Sequence, residues 1–357
     1  MMKILDRYIR KTILVNVFVV LFVLIGLFTF FEFIDELDSV GQGNYGLFAA
    51  IKYILLRVPG LAYDVFPLAG LIGSLVGLGA MVSQNEIVVM RTAGISLYRI
   101  VFSVLKAGLV VILIAMLLGE FVVPVTEQYA NYSRSVAINN QISLKTRNGL
   151  WVREGQNYLN VRTILPGNII KNIYIYRFDN DNRLITSSYA DTALYETGKW
   201  HLKNVSQTHI SENRITMDTN VDAVWDSLLR PELISLVSIK PEDLSIVDLI
   251  SYIRYLVKNN RNSQAYQQAL WTKIIYPLST GVMIFLAIPI VLGATQTLNM
   301  GQRVFTGIVI GLVFYIFNRG MGNLGLVYDL HPLIAVATPA LVTFIIGWYL
   351  MHRLIKH

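Results

Sequence analysis

The chain contains no cysteine. That excludes disulfides, thiolate metal sites and cysteine nucleophiles together. Charge is scarce as well: 15% of residues are Asp, Glu, Lys or Arg, where soluble domains carry about 25%. The histidines His201, His209, His331, His352 and His357 have no metal-ligand spacing. No G-x-x-x-x-G-K-[ST] occurs, because Gly198-Lys199 lacks the earlier glycine and reads as a hairpin turn. ATP hydrolysis through a P-loop is therefore excluded. Neither a G-x-S-x-G elbow nor a carboxylate pair in an obvious pocket is present, so catalysis by this chain alone is not expected.

What is present is apolar. Hydrophobic residues make up 54% of the chain and mean hydropathy is +0.52, the balance of an integral membrane protein. A net charge of +7 could suggest nucleic acid. The basic residues flank apolar runs and do not line one face, which fits membrane topology and gives no nucleic-acid partner.

Residues 1–11 carry Lys3, Arg7, Arg10 and Lys11, and the apolar run 12–33 follows. At about 1.5 Å per residue, its roughly 22 residues cross a core of about 30 Å. A cleavable signal peptide has only about 7–15 apolar residues before a small-residue site. This run ends in Glu32-Phe33-Ile34-Asp35-Glu36, so a retained first span is expected. Residues 35–60 read as a loop, broken by Gly41, Gly43 and Gly46 and closed by Pro59-Gly60. A second span covers 61–82, with Ala69, Gly73 and Gly77 four apart and Gly70 and Ser74 beside them, spacing that lets helices approach closely. The third covers 100–123 and ends at Pro124. Three more follow at 270–292, 304–322 and 333–350, the fifth with Gly307 and Gly311 in GxxxG spacing.

Lys/Arg bias sets the orientation. Lys3, Arg7, Arg10, Lys11, Arg91, Arg99, Arg303, Arg353 and Lys356 fall on one side. Only Lys52 and Arg57 fall in the short loops of the other, and 322–332 has no basic residue. Both termini and the 83–96 loop are thus expected in the cytoplasm. In that loop Glu86 suits a helix N-terminus, Gly94 supplies a left-handed C′ residue, and Ser96 can cap the next helix. The result is a short amphipathic helix suited to a groove on a soluble partner.

Between spans three and four, 127–144 reads as a connector and 145–238 as short alternating strands: 150–152, 158–161, 173–178, 184–186, 190–195, 200–205 and 214–217. Turn residues at 179–182 and 197–199 separate them. Residues 241–259 form an amphipathic helix returning to the membrane, with Leu244, Val247, Ile250, Ile253, Tyr255 and Leu256 apolar. The expected fold is an α-helical membrane protein of six transmembrane helices, three plus three, with an inserted all-β, jelly-roll-like domain outside the cytoplasm. Its parts are 1–126, holding spans one to three and a cytoplasmic coupling helix at 84–94; 127–240, the β domain and connector; and 241–357, the connector helix and spans four to six.

These features resemble the LptF/LptG permease family of lipopolysaccharide export, nearer its LptG branch. The residues that carry the resemblance are Leu5-Asp6-Arg7-Tyr8-Ile9, Gly41-Gln42-Gly43-Asn44-Tyr45 and Glu86-Ile87-Val88-Val89-Met90-Arg91-Thr92-Ala93-Gly94. Gly119-Glu120 with Pro124, Glu127-Gln128, Gly149-Leu150-Trp151, Trp271-Thr272-Lys273 with Pro277, and Val327-Tyr328 with Pro332 complete them. The resemblance implies a permease of an ABC exporter in the Gram-negative inner membrane, with the β domain periplasmic. It would bind no cofactor itself; ATP and Mg would be used by a separate ATPase dimer, LptB. Other implied partners are the paralogous permease LptF, membrane-anchored LptC, the periplasmic bridge protein LptA, and lipopolysaccharide.

For the ATPase, the expected contacts are Glu86 (polar), Ile87, Val89 and Met90 (apolar anchors), Arg91 (ionic) and Gly94 at the helix end. Arg134, Lys273 and Arg319 sit where the positive-inside rule disfavours basic residues, so each either meets lipid-headgroup phosphate or serves locally, by snorkelling or by pairing with Asp64 or Glu120. Phe30, Phe33, Phe66, Phe314 and Phe317 lie toward the outer half, for acyl chains or for packing. Enteric members of the family carry lysines near the outer end of span one, where this chain has Glu32, Asp35, Glu36 and Asp38. Either Arg319 takes that role or the substrate is less phosphorylated.

Two rival readings stand beside this one. One is a membrane-anchored sensory or assembly protein whose β domain binds a partner. The other is a secondary transporter, disfavoured because the spans lack midplane Asp/Glu pairs.

Overall fold

The computed structural model describes residues 2–139, 144–154, 156–165, 169–179, 183–196, 199–211, 214–225, 240–259, 261–293 and 299–356. Helix α1 is Met2–Leu37, α2 Leu47–Ser83, α3 Glu86–Thr92 and α4 Leu97–Leu117. A π-helical turn, Leu118–Val122, joins α4 to α5, Val123–Asn139. After the strands come a 3₁₀ turn, Pro241–Asp243, then α6 (Ile246–Lys258), α7 (Gln264–Gly293), α8 (Met300–Val327) and α9 (Pro332–Lys356). Among the described residues six helices are long and apolar enough to cross a membrane, three before the strands and three after.

The helices outrun their apolar segments. α2 starts at Leu47, so Lys52, Arg57 and the Pro59-Gly60 pair lie inside a helix and not in a loop. Proline is tolerated in such helices because packed neighbours re-satisfy the freed backbone groups. Pro124 likewise does not end the third span. The π turn shifts the ladder from i→i−4 to i→i−5, and Pro124 falls at its junction with α5.

α2 and α7 form the buried centre, flanked by α1, α4, α8 and α9. In lipid this association rests on close packing and not on the hydrophobic effect. The expected small-residue faces do that work. Gly73 lies against the α1 backbone at Val17 and Gly77 against Asn16 and Ile13 of the same helix. Gly70 meets Ile284 and Thr280 of α7. Gly307 and Gly311 of α8 rest on Ile72, Leu75 and Leu68 of α2.

The inserted domain is one antiparallel sheet in chain order: β1 Leu144–Glu154, β2 Asn157–Leu165, β3 Ile169–Phe178, β4 Leu184–Glu196, β5 Lys199–Ser211 and β6 Arg214–Trp225. Its connectivity among the described residues is a meander, without Greek-key crossovers. Segments 184–186 and 190–195 are a single strand, β4. The stretch 226–239 and much of the expected turns at 179–182 and 197–199 lie outside the described residues. Arg162, Asn172, Asp191 and Asn204 drop out of the pairing along one line across β2–β5. Asn172 and Asn204 there are left-handed, at φ 54° and 53°, a conformation asparagine tolerates. On each side of this line the buried residues keep period two, but across it the spacing becomes three: Ile170 and Ile173, Ala190 and Ala193, Leu202 and Val205. These residues form one buried cluster with Trp200, and Tyr255 of α6 packs against it.

Candidate functional site

One end of the helix bundle is organised by α3. Residues Gln84 and Asn85 turn the chain out of α2, Asn85 in a left-handed conformation at φ 59°. At its C-terminus Gly94 (φ +84°) completes a Schellman cap: Gly94 N–H donates to Arg91 O and Ile95 N–H to Met90 O, both at 3.0 Å. Ser96 precedes α4 in an extended conformation, without a side-chain cap.

The seven residues of α3 divide into two faces. Ile87 and Met90, 5% and 8% exposed, enter the same core cluster as Ile9, Ile13 and Ile100. They anchor α3 to the membrane helices and are not open to a partner. The outward face is Val88, Val89 (63% exposed), Arg91 and Thr92. Val88, which the sequence reasoning missed, was legible in the i, i+3 pairing of Ile87 with Met90, which leaves 88 and 89 on the opposite side. Glu86 is shared: the Tyr8 hydroxyl lies 2.9 and 3.0 Å from its two carboxylate oxygens. Nearby, Asp6 accepts from Arg99 Nε and Nη2 at 3.3 Å each and from Ser103 Oγ at 3.1 Å. At this same end Arg303, nearly buried, donates to the carbonyl of Gly79, where the missing side chain makes room for the guanidinium.

The opposite end, from which the sheet emerges, holds a belt of ion pairs. Arg57 of α2 bridges Glu32 of α1 and Glu127 of α5. Arg134 of α5 donates to Glu36 at 2.7 Å and to Ser39 Oγ at 2.8 Å, and lies over the rings of Tyr45 and Tyr53. Burial, with the Glu36 carboxylate beside it, pushes the Tyr45 hydroxyl above the ordinary phenol range. Lys273, 8% exposed, donates to the carbonyl of Gly119 at 3.0 Å. Glu120 does not pair with it directly but accepts the N–H of Ile246 at 3.0 Å, capping α6 together with Ser245, whose Oγ accepts from Asp248 N–H. Of the three basic candidates, Arg134 and Lys273 are thus engaged inside the chain. Arg319 is exposed near this end of α8.

The five phenylalanines separate in the same way. Phe66 and Phe314 are buried in the helical core. Phe33 is half-buried beside Tyr45 and Tyr53, while Phe30 and Phe317 are exposed. The acidic residues Glu32 and Glu36 at the C-terminal end of α1 find their role here as the partners of Arg57 and Arg134.

Residues 7–353 match the family described as "Lipopolysaccharide export system permease LptF/LptG". The "Lipopolysaccharide export system permease protein LptG" of Haemophilus influenzae is 33% identical over 355 residues, covering 99% of each chain. The protein of the same name from Escherichia coli K12 is 35% identical over 353 residues, covering 98% of each. A six-helix bundle split by an all-β insertion, matched along nearly its whole length, belongs to the LptF/LptG permease family.

Proposed function

We propose that the chain is the transmembrane permease subunit of an ABC exporter that extracts lipopolysaccharide from the inner membrane and passes it to a periplasmic β-jellyroll bridge toward the outer membrane. The observation that carries the reading is α3, a short capped helix fixed to the bundle by one face and bare on the other, in a chain with no P-loop. Energy then enters from another polypeptide. Val88, Val89 and Arg91 form the dock, Glu86 and Gly94 border it, and the docked partner is the LptB ATPase dimer, which uses the ATP and Mg. This chain is not itself an enzyme and holds no cofactor.

The Lys/Arg bias supports cytoplasmic termini and a periplasmic β domain. α1 and α8 are the least buried spans, with 17% and 22% of their most apolar stretches covered. Those bare faces suit the seam with the paralogous permease LptF, which encloses an outward-facing cavity. Arg319 meets headgroup phosphate there, and Phe30, Phe33 and Phe317 meet acyl chains. Arg134, Lys273, Phe66 and Phe314 shape the cavity wall from within the chain. An edge of the β sheet continues into LptA by strand addition, and membrane-anchored LptC completes the assembly.

The test is reconstitution in proteoliposomes with the paralogue, the ATPase and a soluble bridge protein. ATP-dependent appearance of lipopolysaccharide on the bridge protein, lost when this chain is omitted, is expected. Transfer that proceeds without it would overturn the assignment.

A further inference from the structure

The dock explains where force enters, and one contact shows how it leaves. Glu86 stands in the first turn of α3 and Tyr8 in the second turn of α1, 78 residues apart, yet the tyrosine hydroxyl sits between both carboxylate oxygens. Asp6, half a turn away, is held by Arg99 and Ser103 of α4. The same end of α1 is therefore tied to the elements on either side of the 92–97 turn.

Between its ends α1 packs one face closely on α2 and leaves the other bare. It runs unbroken from Met2 to Leu37, and its middle exposes Val15, Phe18, Val19, Phe22, Val23 and Leu27. At its far end Glu32 and Glu36 engage Arg57 and Arg134. Tyr8 and Glu36 are 28 positions apart, about 42 Å along an α-helix. A continuous helix pinned by polar contacts at both ends and bare on one face between them transmits displacement as a rod.

We infer that Tyr8 is the positioning residue that couples α3 to α1, so that force applied to α3 reaches the outer end of the first span through the Tyr8–Glu86 hydrogen bond. This inference rests on the reading of α3 as the ATPase dock.

The experiment uses the reconstituted complex and three readouts: ATPase retained on purification, ATP hydrolysis rate, and lipopolysaccharide delivered per ATP. Tyr8→Phe keeps the ring and deletes the hydroxyl. Retention and hydrolysis are expected to remain within twofold of the parent, while lipid delivered per ATP falls about three- to tenfold, the effect of one ordinary solvent-exposed hydrogen bond. Glu86→Gln combined with Tyr8→Phe is expected to deliver no less per ATP than the weaker single variant, because both break the same link. Unchanged delivery per ATP in Tyr8→Phe, loss of the ATPase from that variant, or independent effects of the two substitutions would each overturn the inference. Failure of the dock itself reads out separately, as an ATPase that stays bound when Val89 is replaced by aspartate.

Discussion

Replacing Arg134 by glutamine separates a substrate ligand from an internal strut. In the structure the guanidinium donates to Glu36 at 2.7 Å and to Ser39 at 2.8 Å. The Glu36 side chain is 9% exposed and that of Arg134 34%. Removing one partner of a fully buried ion pair costs about 3–5 kcal/mol, since it strands the other charge. About a third of the Arg134 side chain is open to water, so about 2–3 kcal/mol is expected here. Glu36→Gln with Arg134→Gln removes both charges and should return stability to within about 1 kcal/mol of the parent. Thermal melting of the detergent-solubilised chain measures the global effect. Amide exchange reports the local one, because Asn44 N–H donates to Ala137 O at 2.8 Å and ties the 38–46 linker to α5 beside Arg134. Faster exchange at Asn44 and a lowered melting temperature are expected, with recovery of both in the double variant. An Arg134→Gln chain that melts and exchanges like the parent but loses lipopolysaccharide binding would refute this, and would return Arg134 to the headgroup.

Other substitutions probe other joints. Met90→Ala empties a core position and should destabilise the chain by about 2–5 kcal/mol, seen as a lower melting temperature without the ATPase present. Gly73→Ile drives a side chain into the α1 backbone at Val17; separation of the two helices should cost about 1–3 kcal/mol or more and raise the yield of protease-nicked chain. Asp243 is held above its ordinary 3.8 by burial, against the opposing pull of Lys240. The folded chain therefore keeps that proton to higher pH than the unfolded chain does, and stability falls as pH rises from 3.8 through the folded-state value. Asp243→Asn should flatten the dependence of melting temperature on pH across that window.

The spans, the strands and the short helix α3 were legible because each is a local pattern. Apolar length marks a membrane helix, period two marks a strand, and Gly94 marks the helix end. Helix limits were not legible at Pro59 and Pro124, where proline normally signals a stop. Neighbouring helices and a π turn absorb the lost hydrogen bond in those places, and neither is written in the local sequence. The sheet's break in period was hidden as well: Asn172 and Asn204 look like ordinary strand residues until their left-handed backbone shifts the buried positions by one. At the candidate site, the residue types were readable but their directions were not. Ile87 and Val89 are both apolar, yet one points into the core and the other out. Arg134 and Arg319 are both basic at the end of the bundle near the sheet, yet Arg134 has Glu36 waiting for it from a helix about a hundred residues earlier in the chain.

The central claim is that α3 is where a separate ATPase drives this permease, and Val89 tests it most directly. The residue is 63% exposed and its side chain belongs to no core cluster, so Val89→Asp should leave the melting temperature of the isolated chain unchanged. Placing a charge at the centre of an apolar dock should cost the complex at least tenfold in affinity, about 1.4 kcal/mol or more. The account predicts that the Val89→Asp chain is purified intact and folded but without the ATPase. Recovery of the ATPase at parental stoichiometry would contradict it.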